Sequence, residues 1–150
     1  MRVFSDLAQL ALAKGEHLGH GEWTTVDQQQ VDLFAEATGD HQWIHVDTAR
    51  AAAGPFGGTI AHGYLTLSLI PKLTGDIYTV EKLTMGVNYG TNKVRFPSPL
   101  LVGSRVRAGL ELIEVTEVAQ GVQAVIRCTV EIEGKDKPAC VAETVVLFVP

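Results

Sequence analysis

With 150 residues, 46% of them hydrophobic and only 19% charged, the chain reads as a soluble folded domain rather than a disordered segment. Its formal net charge of −5 argues against nucleic acid as the main partner, because a phosphate backbone recruits clustered Lys and Arg. A small anionic ligand needs only a local patch and stays open. The start lacks a basic segment followed by an apolar stretch, so no secretory signal is expected and cytoplasmic placement follows as an expectation. The run Tyr64–Leu73 is too short, and too interrupted by Thr66, Ser68, Pro71 and Lys72, to cross a bilayer.

No repeat or linker divides the sequence, and residues 1–150 are read as one domain. Phe4, Leu7, Leu10 and Ala11 are spaced for a short N-terminal helix that Gly15 would end. A first strand is expected within 17–26. Asp27 is in N-cap position with Gln30 three residues on, the spacing of a capping box. Val31, Phe34, Ala35 and Thr38 then mark one helix face, and Gly39 suits the left-handed residue past its end. Residues 40–47 are therefore expected in irregular structure, with one more turn over 48–53 and a loop at Gly54–Gly58. Gly63–Leu73 reads as a helix apolar on nearly all sides, buried in the middle of the fold and kinked by Pro71.

The period then changes. Leu83–Gly90, Arg105–Leu112 and Val122–Ile132 alternate apolar with polar, as half-buried strands do. A phase change at Leu112-Ile113 predicts a bulge or bend. Ala139–Val149 is apolar on both faces, which suits a strand away from the sheet edge. Helices followed by long antiparallel strands make an α+β fold, a curved sheet on one buried helix. Cys128 and Cys140 lack metal-like spacing and read as small buried residues of a reducing compartment, with a disulfide the less favoured alternative.

The densest polar cluster is Asp40-His41-Gln42-Trp43-Ile44-His45-Val46-Asp47. A tight loop can bring the Asp40 carboxylate and the His45 imidazole to one point, where they could hold a water and move its protons; imidazole titrates near neutral pH. The plainer alternative is a turn aspartate after a helix-ending glycine and a hydrogen-bonded loop histidine. Ile60-Ala61-His62-Gly63-Tyr64 leads into the apolar helix, whose first N–H groups lack partners. A side chain is absent at Gly63, so a carbonyl could approach its N–H closely; the alternative is a tight start to the helix. Ser68 is either bonded to a preceding carbonyl or aimed at a polar site. A metal held by His41, His45 and His62 or Asp40 is disfavoured, since no HExxH pattern is present. Neither a GxSxG elbow nor a GxGxxG or Walker sequence occurs. Arg95, Arg105 and Arg107 suit phosphates or, more simply, solvated strand faces.

Gly39-Asp40, Ile44-His45 and Ala61-His62-Gly63 before an apolar helix together resemble the MaoC-like (R)-specific enoyl-CoA hydratases. Asp-His-Gln-Trp-Ile-His and Gly-Pro-Phe-Gly-Gly-Thr-Ile-Ala-His-Gly are similar to its NodN-like branch. The resemblance covers about residues 25–115, including Val94-Arg95-Phe96-Pro97 before Gly103; Gln42 and Trp43 replace the family's usual Asn and Pro. It implies a hot-dog fold, a homodimer with the site near the subunit interface, and (R)-specific hydration of a trans-2-enoyl-CoA. Asp40 and His45 would share the water and Gly63 N–H would polarise the thioester carbonyl. Ser68 and Gln42 would orient the carboxylate or water, and Asn88 would line the pocket. Coenzyme A enters as part of the substrate, with acyl carrier protein the less favoured carrier, and no separate cofactor or metal is implied. The rival functions are a hot-dog thioesterase, with water attacking C1, and a non-catalytic acyl-thioester-binding module.

Overall fold

The computed structural model describes residues 1–150. The chain opens with a short strand, β1 (Arg2–Phe4), and a short helix, α1 (Leu7–Leu12). Phe4 therefore belongs to a strand rather than to the helix that its spacing suggested. The helix starts after Asp6, whose carboxylate accepts from Gln9 N–H at 2.9 Å. Gly15 does not end it either: Ala13 is the C-cap, and Gly15 donates its N–H to Leu112 O at 2.7 Å. The early strand is split into β2 (His17–His20) and β3 (Thr24–Thr25), both antiparallel to the same later strand.

α2 (Gln28–Thr38) forms as the capping pattern predicts. Asp27 accepts from Gln30 N–H at 2.9 Å, Val31 and Ala35 are buried, and Gly39 closes the helix at φ 81°. The next segment is more regular than expected. Gln42 O accepts from His45 N–H at 2.9 Å, which starts a one-turn helix, α3 (Trp43–Val46), and places His45 on it. Asp47 then caps α4 (Thr48–Ala52).

The apolar helix is two pieces, α5 (Gly63–Ser68) and α6 (Ile70–Thr74), meeting at Leu69. Pro71 lacks an N–H and its ring crowds the carbonyl four residues back, so regular bonding breaks there. Burial is also one-sided. Leu65, Thr66, Ile70 and Leu73 face the core, whereas Tyr64 is 72% exposed.

β4 (Tyr78–Val80) pairs in parallel with β1 in a small two-stranded sheet that the alternation did not reveal. The main sheet uses β5 (Met85–Arg95), β6 (Arg105–Val118), β7 (Gly121–Ile132) and β8 (Cys140–Val149), with strand order β2-β6-β7-β8-β5 and β3 also on β6. The predicted bulge appears as a register shift between Leu112 and Glu114. Every second residue of β7 from Val122 to Ile132 is buried, as period-2 patterning requires. β8 lies between β7 and β5, away from the sheet edge as expected, and its residues are all buried or half-buried. The broken helix crosses the inner face of this sheet, α5 against β8 and α6 against β6. This is the hot dog: a curved antiparallel sheet wrapped on a central helix. Twenty-five buried residues from helices and strands form one core cluster, in which each fully buried Val, Leu or Ile contributes about 1.5–3 kcal/mol.

Candidate active site

Three turns converge beside the start of α5. Gly39 in the left-handed region redirects the chain at the end of α2 and presents Asp40, about half exposed. Asp40 Oδ1 accepts from Gln42 N–H at 3.3 Å, an Asx-type turn that leads into α3. One helical turn then carries His45 inward, where it is 6% exposed. The strap Thr59–His62 arrives from the other side. Ile60 N–H bonds Ile44 O at 3.0 Å, and Ala61 N–H bonds Leu100 O at 2.8 Å.

The imidazole orientation follows from one hydrogen bond. His45 Nδ1 lies 2.7 Å from Ile60 O, and a carbonyl only accepts, so the Nδ1 carries the proton. The Nε2 lone pair is left free, 4.0 Å from Asp40 Oδ2. That gap is too long for a direct hydrogen bond, yet an oxygen atom about 2.8 Å from both groups would fit. His62 is stacked on His45, with centroids 3.8 Å apart and planes at 24°, and its Nε2–H donates to Asp40 O at 3.0 Å. Asp40, His45 and His62 each place a nitrogen or carboxylate oxygen within 4.8 Å of the others. His41 is turned away to the surface, 3.6 Å from Glu36.

The remaining expected residues are more scattered. Gly63 starts α5 with no side chain capping its N–H groups. The space that a Cβ would fill is taken by the Phe96 ring, three of whose atoms lie 3.0–3.1 Å from that position. The Phe96 ring thus packs against the bare Cα of Gly63, while the N–H groups at the start of α5 stay without a side-chain partner. Ser68 is exposed and donates back to Tyr64 O at 2.7 Å, the first of the two roles weighed for it, which keeps it off the Asp40–His45 pair. Gln42 contributes its main-chain N–H, and its side chain is exposed. Asn88 opposes Val146 on β5 and is exposed.

Two neighbours escaped the sequence reading. Thr66, buried one turn after Gly63, shares a cleft of about 300 Å³ with Ile60, Gly63, Phe96 and Ser98. Its place at i+3 from Gly63 was the available signal. Gln28 ties three segments together: its amide donates to His45 O at 2.8 Å and to Asp32 at 2.9 Å, and accepts from Thr59 at 2.6 Å. A polar residue in a first helical turn gives no such signal. A depression of about 540 Å³ between Trp23 and Lys135 contains none of these residues. Arg105 and Arg107 pair across strands with Glu133 and Glu131, as solvated faces do. Cys128 and Cys140 are free thiols, and burial pushes them up to about 12 and about 11, so neither is a nucleophile at neutral pH.

Residues 9–134 match the family model described as MaoC like domain. The chain belongs to the MaoC-like dehydratase family. This MaoC-like chain is 57% identical over 150 residues to 3-hydroxyacyl-thioester dehydratase Z of Mycobacterium tuberculosis, covering 99% of each. It is 47% identical to Nodulation protein N of Rhizobium leguminosarum bv. viciae, covering 96% of this chain and 92% of the relative. Among solved structures it resembles the (R)-hydratase from A. caviae involved in PHA biosynthesis, at TM-score 0.72 and 26% identity, over 91% of this chain and 96% of the other.

Proposed function

We propose that this chain, read as one domain over 1–150, adds water reversibly to a trans-2-enoyl-CoA, giving the (R)-3-hydroxyacyl-CoA. The observation that carries the reading is the 4.0 Å gap between His45 Nε2 and Asp40 Oδ2, with Nδ1 committed to Ile60 O. Two acceptors held that far apart suit one bridging water. As the water oxygen bonds C3, the Asp40–His45 pair takes a proton and a proton is returned to C2. The sum is H and OH across the double bond, with both residues restored. The thioester carbonyl gathers charge as C3 is attacked, and the uncapped N–H of Gly63 is the group we assign to it. Thr66 and Phe96 line the same cleft and would flank the acyl group. No electrons move, so the reaction needs no redox cofactor.

We further propose that two copies associate. Met85, Val87 and Tyr89 on β5, with Tyr64 on α5 and Phe96 after β5, are large apolar side chains left exposed. β5 is also the edge of the main sheet, with one row of backbone groups unpaired. No helix is long and apolar enough to cross a membrane.

The test is turnover of trans-2-butenoyl-CoA and trans-2-octenoyl-CoA by purified protein, followed by loss of the conjugated enoyl absorbance, with Asp40→Asn alongside. Asn can still accept from Gln42 N–H, so the fold should hold while kcat falls by about 10²- to 10⁴-fold. Release of free thiol from saturated acyl-CoA, with both enoyl substrates untouched, would replace this reading with the thioesterase.

A further inference from the structure

His62 is 3% exposed, yet only one of its ring nitrogens has a partner. Nδ1 is the one buried side-chain polar atom in the protein without a hydrogen bond. An apolar ring or chain would fill the site without that cost, so packing alone does not account for an imidazole here. Its bonded nitrogen shows what the imidazole does. Nε2–H donates at 3.0 Å to the main-chain carbonyl of Asp40, the residue whose carboxylate faces His45. The ring is itself clamped, between His45 at 3.8 Å and Phe34 at 4.9 Å.

We propose that His62 is a positioning residue: through Nε2–H it fixes the Asp40 backbone, and so holds the carboxylate at water-bridging distance from His45. It touches neither the water nor the substrate. The proposal rests on the hydration chemistry argued above. Asp40 needs this second tether because its side chain is about half exposed and is otherwise held by the long bond, 3.3 Å, from Gln42 N–H.

Two amides separate the ring's roles. A glutamine at 62 can place its N–H₂ where Nε2 now sits, whereas asparagine reaches only the Nδ1 position. His62→Gln should keep kcat within about fivefold of wild type. His62→Asn should lower kcat by about 10- to 100-fold with KM nearly unchanged, the cost of a loosened reacting group. In the unmodified protein, ¹⁵N-edited NMR of the imidazoles should show the His62 proton on Nε2, a result that does not depend on any variant folding. Equal loss in Gln and Asn variants would overturn the proposal, as would a rise in KM at constant kcat or a proton on Nδ1. If the wild type turns over no enoyl thioester, it is the hydratase reading that fails; the tautomer then still reports on the tether.

Discussion

Replacing Gly63 by Ala sets the needs of a helix against those of a cleft. A Cβ at this position would lie 3.0 Å from Phe96 Cδ2 and Cε2 and 3.1 Å from Cζ. Comfortable carbon contacts begin near 3.5 Å, so the ring must retreat by about 0.5 Å. Phe96 is 43% exposed and has room to swing. Doing so weakens its edge-on contact with Tyr64, at 6.4 Å between centroids and 78°, a kind of contact worth about 0.5–1.5 kcal/mol. Alanine offsets this, being favoured over glycine in helices by up to about 1 kcal/mol. The two effects nearly cancel, so the melting temperature should stay within about 4 °C of wild type. Activity should not. A methyl group and a displaced ring both intrude beside the first N–H of α5, and loss of one such donor costs about 10²- to 10³-fold elsewhere. We expect kcat/KM on an enoyl thioester to fall at least about tenfold. A variant that melts normally and works at the wild-type rate would refute the placement of the carbonyl at Gly63. A melting temperature far below that window would refute the cancellation.

Gly39→Ala should lower stability by about 1 kcal/mol or more and the melting temperature by about 2–4 °C. A Cβ there meets nothing within 4 Å, so the cost is that of φ 81° alone, and Gly39→Asn should recover most of it in the same thermal melts. The buried thiols predict a pH effect. Cys128 and Cys140 are raised by burial to about 12 and about 11, against about 8.5 for a free thiol. Their contribution to stability is full below pH ~8.5 and declines as pH rises toward those folded values. Ellman's reagent at pH 8 should therefore find no reactive thiol in native protein and two after denaturation; rapid native labelling would contradict the burial.

Where a period could be counted, sequence and structure agree. β7 alternates without a fault over eleven residues, the bulge in β6 sits where the phase slips, and α2 is bounded by Asp27 and Gly39 as written. Disagreement gathers where spacing is ambiguous over a few residues. Phe4 fits a helix face but pairs as strand with Val80, a partner 76 positions away that no local pattern announces. The apolar helix was legible as an element, but which side it leaves uncovered depends on how far the sheet curls over Tyr64. Within the site, Asp40 and His45 could be picked out because a carboxylate and an imidazole are rare so close together in a turn. Gln28 could not, since its role depends on tertiary partners 31 and 17 residues away, and Thr66 offered only its spacing from Gly63, its cleft being formed with Phe96.

Each stacked imidazole is held by a peptide oxygen, His45 by that of Ile60 and His62 by that of Asp40. A peptide oxygen survives any substitution of the side chain attached to it. Position 60 is therefore doubly used: its carbonyl aims the histidine, and its side chain forms part of the cleft wall. Drift from Ile to Val, Leu or Phe can reshape what the cleft admits while the aim of His45 stays the same. Changes that bend the backbone nearby, at Gly57, Gly58 or Pro55, act the other way. If the cleft takes the acyl group and His45 moves protons as proposed, chain preference and proton transfer can evolve separately at a single residue.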